Sequence, residues 1–153
     1  MATAAPADTK PSLTIQRRFD APVERVWRAW TDPEAMFQWF GPEGAEVTHA
    51  ETDVRVDGSF RVIFSIPPDP EVHNVSGVYR EVEDKQKLVF TWQWITMPER
   101  ESLVSVMLRA KGDRTLMIFS HEQFADEEAR DGHEEGWTGS FDRLAAYLEK
   151  EAA

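Results

Sequence analysis

Cysteine is missing from all 153 residues. No disulfide framework can form, and zinc or iron–sulfur sites built on thiolates are excluded. A reducing cytoplasm is the expected location. Basic residues are scarce: 17 Lys and Arg stand against 28 Asp and Glu, a formal charge of −11. Nucleic acid is excluded as a partner, because its binders present a Lys/Arg face that displaces counterions. An anionic membrane surface is disfavoured for the same reason. No apolar run approaches the roughly 18 residues of a membrane span. Residues 1–12 lack the basic start and apolar stretch of a signal peptide and are expected to be a disordered tail. Residues 13–150 then form one domain of ordinary size.

Several chemical motifs are also missing. There is no Gly-x-Ser-x-Gly elbow, no Gly-x-x-x-x-Gly-Lys phosphate loop and no Gly-x-Gly-x-x-Gly dinucleotide fingerprint. Nucleophilic catalysis and nucleotide cofactors therefore find no support. No cofactor and no metal are expected.

Apolar residues make up 41% of the chain and include six tryptophans, enough for a substantial core. Leu13 to Phe19 alternates as a strand. Val23, Val26, Trp27 and Trp30 recur at helical spacing, with Pro22 expected in the first turn. Asp32-Pro33-Glu34 starts a second, short helix that ends near Gly41-Pro42. From Ala45 to Ser120 the texture is of short strands joined by turns, including Asp57-Gly58, Asp84-Lys85 and Lys111-Gly112-Asp113. Such short joints make an antiparallel meander. A long helix closes the chain from about Asp126 to Glu149, with Trp137, Phe141, Leu144 and Leu148 on one face.

The order of elements and four local stretches carry a resemblance. The stretches are Phe19 to Trp27, Trp39-Phe40-Gly41-Pro42, Asp53 to Gly58, and His133-Glu134-Glu135-Gly136-Trp137 with Leu144 one helical face later. They resemble the START-like and pollen-allergen-like superfamily, in its subgroup related to the C-terminal domain of the heat-shock-protein ATPase activator. The resemblance implies an α+β helix-grip fold. A curved antiparallel sheet of about six or seven strands would wrap around the long C-terminal helix, with two short helices after the first strand. It also implies an internal cavity between sheet and helix.

Trp39, Phe60, Phe64, Tyr79, Trp92, Trp94, Met107, His133, Trp137 and Phe141 are the candidate cavity residues. Periodicity gives each strand two faces without saying which is inside, so plain core remains the competing role. Gly132, Gly136, Gly139 and Ser140 form a small-residue stripe on the last helix. Glycine costs about 1 kcal/mol there, which either ligand room or close helix–sheet approach would offset. His49, Glu51 and Asp53 alternate on one strand and read as a solvated face rather than a metal site. His121 reads as an exposed or helix-capping residue, and His133 as a group able to face the cavity. Arg55 is expected to pair with Asp53 or Asp57.

The primary expectation is a small soluble protein that binds a hydrophobic small molecule in an internal cavity. No catalytic residue is assigned. One alternative is a cyclase or dehydratase using the same cavity, with His133, His49 or Tyr79 as its polar group. Another is a chaperone- or stress-associated interaction protein using its acidic outer surface or an exposed aromatic patch near Trp39 and Phe40. A chaperone partner ranks below the small molecule. A homodimer is left open, since no sequence signal specifies one.

Overall fold

A computed structural model describes residues 10–152, with side chains to residue 150. Of the expected tail, residues 1–9 lie outside the described residues. Pro11 is tied down, its carbonyl accepting from Phe124 N–H at 3.1 Å.

The chain runs β1 (Leu13–Phe19), α1 (Val23–Thr31), α2 (Pro33–Trp39), β2 (Glu46–Thr52), β3 (Ser59–Ser65), β4 (Val72–Glu83), β5 (Lys87–Trp94), β6 (Ser102–Lys111), β7 (Arg114–Glu122) and α3 (Glu127–Ala152). Pro22 caps α1 from the extended region, one position earlier than the sequence pattern places it. Its carbonyl accepts from Arg25 N–H at 3.0 Å. Asp32 links the two short helices. Its N–H bonds Arg28 O at 2.8 Å and closes α1. Its carboxylate accepts from Glu34 N–H at 3.0 Å and opens α2, with Pro33 first in the helix. The chain then turns through Gly41 at φ 94°, where a Cβ would lie 2.7 Å from that of Ala45.

All strand pairings are antiparallel, in the order β1-β7-β6-β5-β4-β3-β2. β2 to β7 follow as a meander, and β1 joins the far edge against β7. The turn before β3 docks on β4, with Asp57 N–H on Tyr79 O and Tyr79 N–H on Gly58 O, both at 2.9 Å. The expected Arg55–Asp53 pair forms beside it at 2.9 Å, on exposed side chains.

Alternation sends one face of each strand inward: Phe60, Val62 and Phe64 of β3, Leu88, Phe90 and Trp92 of β5, Val104, Val106 and Leu108 of β6, and Met117 and Phe119 of β7. Helix α3 lies against this face through Trp137, Phe141, Leu144 and Leu148, all buried. Trp30 of α1 fills the middle, with ring centroids 4.9 Å from Trp39 and about 6 Å from Phe119, Trp137 and Phe141. Burying such rings contributes the largest apolar areas in the domain.

Three polar ties fix α3. Asp126 caps its start, accepting from Ala129 N–H at 2.8 Å. Arg25 of α1 donates to Leu148 O. Arg143 donates from Nη1 to the carbonyls of Phe40, Gly41 and Pro42, each at 3.1 Å. The result is an α+β helix-grip fold: a curled seven-stranded sheet holding a long C-terminal helix.

Candidate ligand pocket

Apolar packing is complete around Trp30 but not at the other end of the groove. A pocket of about 450 Å³ lies there, bordered by the N-terminal half of α3, the neighbouring ends of β3, β4 and β5, and the Phe40–Pro42 loop. Its walls are aromatic: Phe40, Phe64, Trp92, Trp94 and Trp137. The loop from Thr96 to Arg100 and the start of β4 form its rim, where Val72 and Met97 are exposed. Charge is confined to this rim, at Glu71, Arg100 and Glu128.

The small-residue stripe of α3 divides into two uses. A Cβ on Gly132 or Gly136 would meet nothing within 4 Å, and both glycines line the pocket. On Gly139 it would stand 3.4 Å from Glu43 N, so that glycine serves close approach of the α2–β2 loop.

Five of the ten candidate residues, Phe64, Trp92, Trp94, His133 and Trp137, line this pocket. Trp39, Phe60, Tyr79 and Phe141 are buried in the packed core away from it. Phe60, Tyr79 and Phe90 occupy one another's space, with centroids 5.1–6.0 Å apart. Trp39 donates its indole N–H to Ala29 O at 2.9 Å. Met107 sits on the opposite face of β6, because the inward set there is Ser102, Val104, Val106 and Leu108. The aromatic patch expected at Trp39 and Phe40 does not exist: these residues are 0% and 3% exposed. His49 and Glu51 do form a solvated pair, at 2.9 Å. Among the described residues no group of His, Asp or Glu has a metal-binding arrangement.

The largest departure from expectation is His121, which is 0% exposed rather than at the surface. Its Nδ1 accepts from Trp137 Nε1–H at 3.0 Å. The ring proton therefore sits on Nε2, which donates to Ser102 Oγ at 2.7 Å. His133 has the opposite tautomer. Its Nδ1–H donates to Ala129 O at 2.7 Å, and its Nε2 accepts from Trp94 Nε1–H at 3.0 Å. The two rings are 5.2 Å apart and perpendicular-like at 75°.

Burial, reinforced by the neighbouring His133, pushes His121 down from 6.5 to about 2. Burial lowers His133 as well, and its bond to Ala129 opposes the shift. Both rings are neutral at pH 7, and each lone pair is already taken by an indole N–H. Ser102 beside His121 has the distance of a nucleophile–base pair but the wrong proton placement: the histidine gives a hydrogen bond where a base must accept one.

Among the described residues two buried indole donors have no partner, Trp30 in the core and Trp92 at the pocket. Trp92 is 4% exposed and lines the pocket, yet its Nε1–H is buried without a hydrogen-bond acceptor among the described residues. Such an orphan costs about 1–3 kcal/mol.

Phe40, Ser102 and Phe124 complete the lining although the sequence pattern does not single them out as pocket residues. Ser102 has a signal, since it shares the inward period of Val104 and Val106. Phe124 lies in the β7–α3 connection, where no periodicity operates.

Among the described residues no helix is long and apolar enough to cross a membrane. Several solved structures share the fold. An AHSA1 protein of Silicibacter pomeroyi is 30% identical, with a TM-score of 0.80 over 92% of this chain and 99% of that one. Protein CV1439 of Chromobacterium violaceum is 26% identical, with a TM-score of 0.82 over 90% of this chain and 96% of that one. Protein NE0264 of Nitrosomonas europaea, 24% identical, has the same fold at a TM-score of 0.78 over 97% and 99%. No curated protein matches the sequence. Residues 20–149 match the family described as Activator of Hsp90 ATPase homolog 1-like protein, a span that contains both short helices, the whole meander and most of α3. The chain belongs to that family.

Proposed function

We propose that the protein binds a hydrophobic small molecule in the pocket between the sheet and the N-terminal half of α3. The observation that carries this reading is the space left open against an aromatic wall, to which the half-buried Gly136 of α3 presents no side chain. Glycine at such a helix-interior position lowers helix stability by about 1 kcal/mol against alanine. Close packing does not account for it, and room for a ligand does. The volume, about 450 Å³, falls in the range of small-molecule sites. The family commonly binds hydrophobic ligands.

Cyclase or dehydratase chemistry in the same pocket is the weaker reading. It needs a base with a free lone pair, and the imidazoles of His121 and His133 both accept from tryptophan. Tyr79 lies outside the pocket, with its phenol pushed up by burial and by the charge of Asp53. A chaperone partner rests on the family description alone.

Native mass spectrometry of gently purified protein, set beside its denatured mass, tests binding directly. An excess mass that disappears on denaturation is expected. N-phenyl-1-naphthylamine, an uncharged fluorescent probe, covers the case of a ligand lost in purification. A clean native mass together with no probe fluorescence would overturn the assignment.

A further inference from the structure

We infer that the outer face of the sheet, at β6 and β7, docks a second copy of this chain laid end for end across it. All three helices bury their apolar sides against the inner face. The outer face of an antiparallel sheet is normally solvated and polar. Here the outward positions include Leu103, Ser105 and Met107 of β6 and Leu116, Ile118 and Ser120 of β7, all half-buried with no helix over them. Register joins them into one band: Met107 pairs with Ile118, and Ser105 with Ser120.

The charges at the two ends of the band identify its occupant. Arg109 and Arg18 stand at one end, both in register with Leu116. Glu122, in register with Leu103, stands at the other, with Glu101 one residue before β6 and in step with its outward positions. Among the described residues none of these four charges has an ion-pair partner, whereas Arg17 and Arg114 close by are paired with Asp142 and Asp20. Along β6 the outward residues therefore run Glu101, Leu103, Ser105, Met107, Arg109: acid, apolar, small, apolar, base. A second copy turned about Ser105 sets its Arg109 on Glu101 and its Met107 on Leu103. That is the self-complementarity an isologous two-fold contact requires. A uniformly acidic or uniformly basic partner would meet like charge at one end of the band. The net charge of −11 opposes association elsewhere on the surface, and this band offsets it locally.

Four strands, β5, β6, β7 and β1, about 4.8 Å apart and about 30 Å long, give each copy a face of roughly 500–600 Å², the low end for a specific contact. The dimer is accordingly a weak one that forms with rising concentration.

Sedimentation velocity of the full chain from about 5 to about 500 µM tests this, with conversion from monomer to dimer expected across that range. Glu101→Arg and Arg109→Glu are each expected to weaken the dimer about tenfold, because a symmetric contact carries each change twice. The double variant E101R/R109E exchanges the two ends and is expected to return to within about threefold of wild type. Glu101→Arg also makes the chain less acidic, so relief of general repulsion alone would tighten association instead. Ser105→Arg puts two like charges at the centre and is expected to give monomer throughout, with a wild-type circular dichroism spectrum and melt showing that it is folded. Monomeric wild-type protein at the highest concentration would overturn the inference. So would a dimer that Ser105→Arg leaves intact, that Glu101→Arg tightens, or that the double variant does not recover.

Discussion

Trp94 and His133 meet at 3.0 Å, indole N–H to imidazole Nε2, across 39 residues of sequence. The contact joins the end of β5 to α3 at the wall of the pocket, and it fixes which ring nitrogen of His133 carries the proton. Trp137 does the same for His121 with the reverse outcome. Two neutral histidines of opposite tautomer therefore lie 5.2 Å apart.

Long-range proton–nitrogen spectra of histidine-labelled protein at pH 7 are expected to show Nε2–H for His121 and Nδ1–H for His133. Trp94→Phe removes the donor to His133 and is expected to make that ring easier to protonate, with His121 still in its original tautomer. A His133 titration unchanged by Trp94→Phe would show that the indole does not hold the lone pair.

Stability should depend on pH in one direction. The folded protein keeps His121 neutral down to about 2, while the unfolded chain takes up a proton near 6.5. Below 6.5 the unfolded state binds more protons, so the contribution is full above that pH and is lost as pH falls. His133, also lowered, acts in the same direction. Urea unfolding at pH 7.5, 5.5 and 4.5 is expected to show a loss approaching ~1.4 kcal/mol per pH unit from His121. His121→Gln should flatten that slope. An unaltered slope would place its origin elsewhere.

The glycines should separate by environment. Gly132→Ala and Gly136→Ala meet nothing within 4 Å, so each is expected to raise unfolding stability by up to ~1 kcal/mol. Gly136→Ala also narrows the pocket and should weaken binding of a naphthyl probe. Gly77→Ala is the contrast: its Cβ would stand 1.8 Å from Thr91 O, and a loss of more than ~2 kcal/mol is expected. Urea midpoints for the three variants check this, and a stabilised Gly77→Ala would contradict the sheet geometry.

Arg143 holds three consecutive carbonyls of the α2–β2 loop from one nitrogen. Burial lowers its pKa while Glu43 opposes the shift, and the guanidinium stays charged. Arg143→Leu removes all three bonds and is expected to cost about 2–4 kcal/mol in a urea or thermal melt. Arg143→Lys supplies three N–H donors on one nitrogen and should recover part of that loss. Equal melts for the two variants would mean that the packing of the stem, not the donors, matters.

The sequence made some of this legible and hid the rest for physical reasons. The Asp32-Pro33-Glu34 cap and the 3.6-residue spacing of Trp137, Phe141, Leu144 and Leu148 are local signals, and α2 and α3 stand where they indicate. The start of β4 at Val72 is less local, because pairing of Val72 with Ser65 of β3 sets it. Met107 and Val106 are neighbours that alternate perfectly, and only the docking of α3 decides that Val106 faces inward. His121 is hidden most deeply. A polar residue near a strand end reads as exposed, and the partners that satisfy it, Ser102 and Trp137, come from two other elements.

The pairing of β1 with β7 also bears on how the chain is made. Leu13 faces His121, 108 residues later. Strands β2 to β7 can zip together as each emerges from the ribosome, since every partner has just preceded it. β1 has to wait for almost the whole chain, and α3, which follows β7, closes last. Throughout synthesis the apolar face of the growing sheet stays open. A charge of −11 opposes close approach of two copies, and so works against association through that face while it is uncovered.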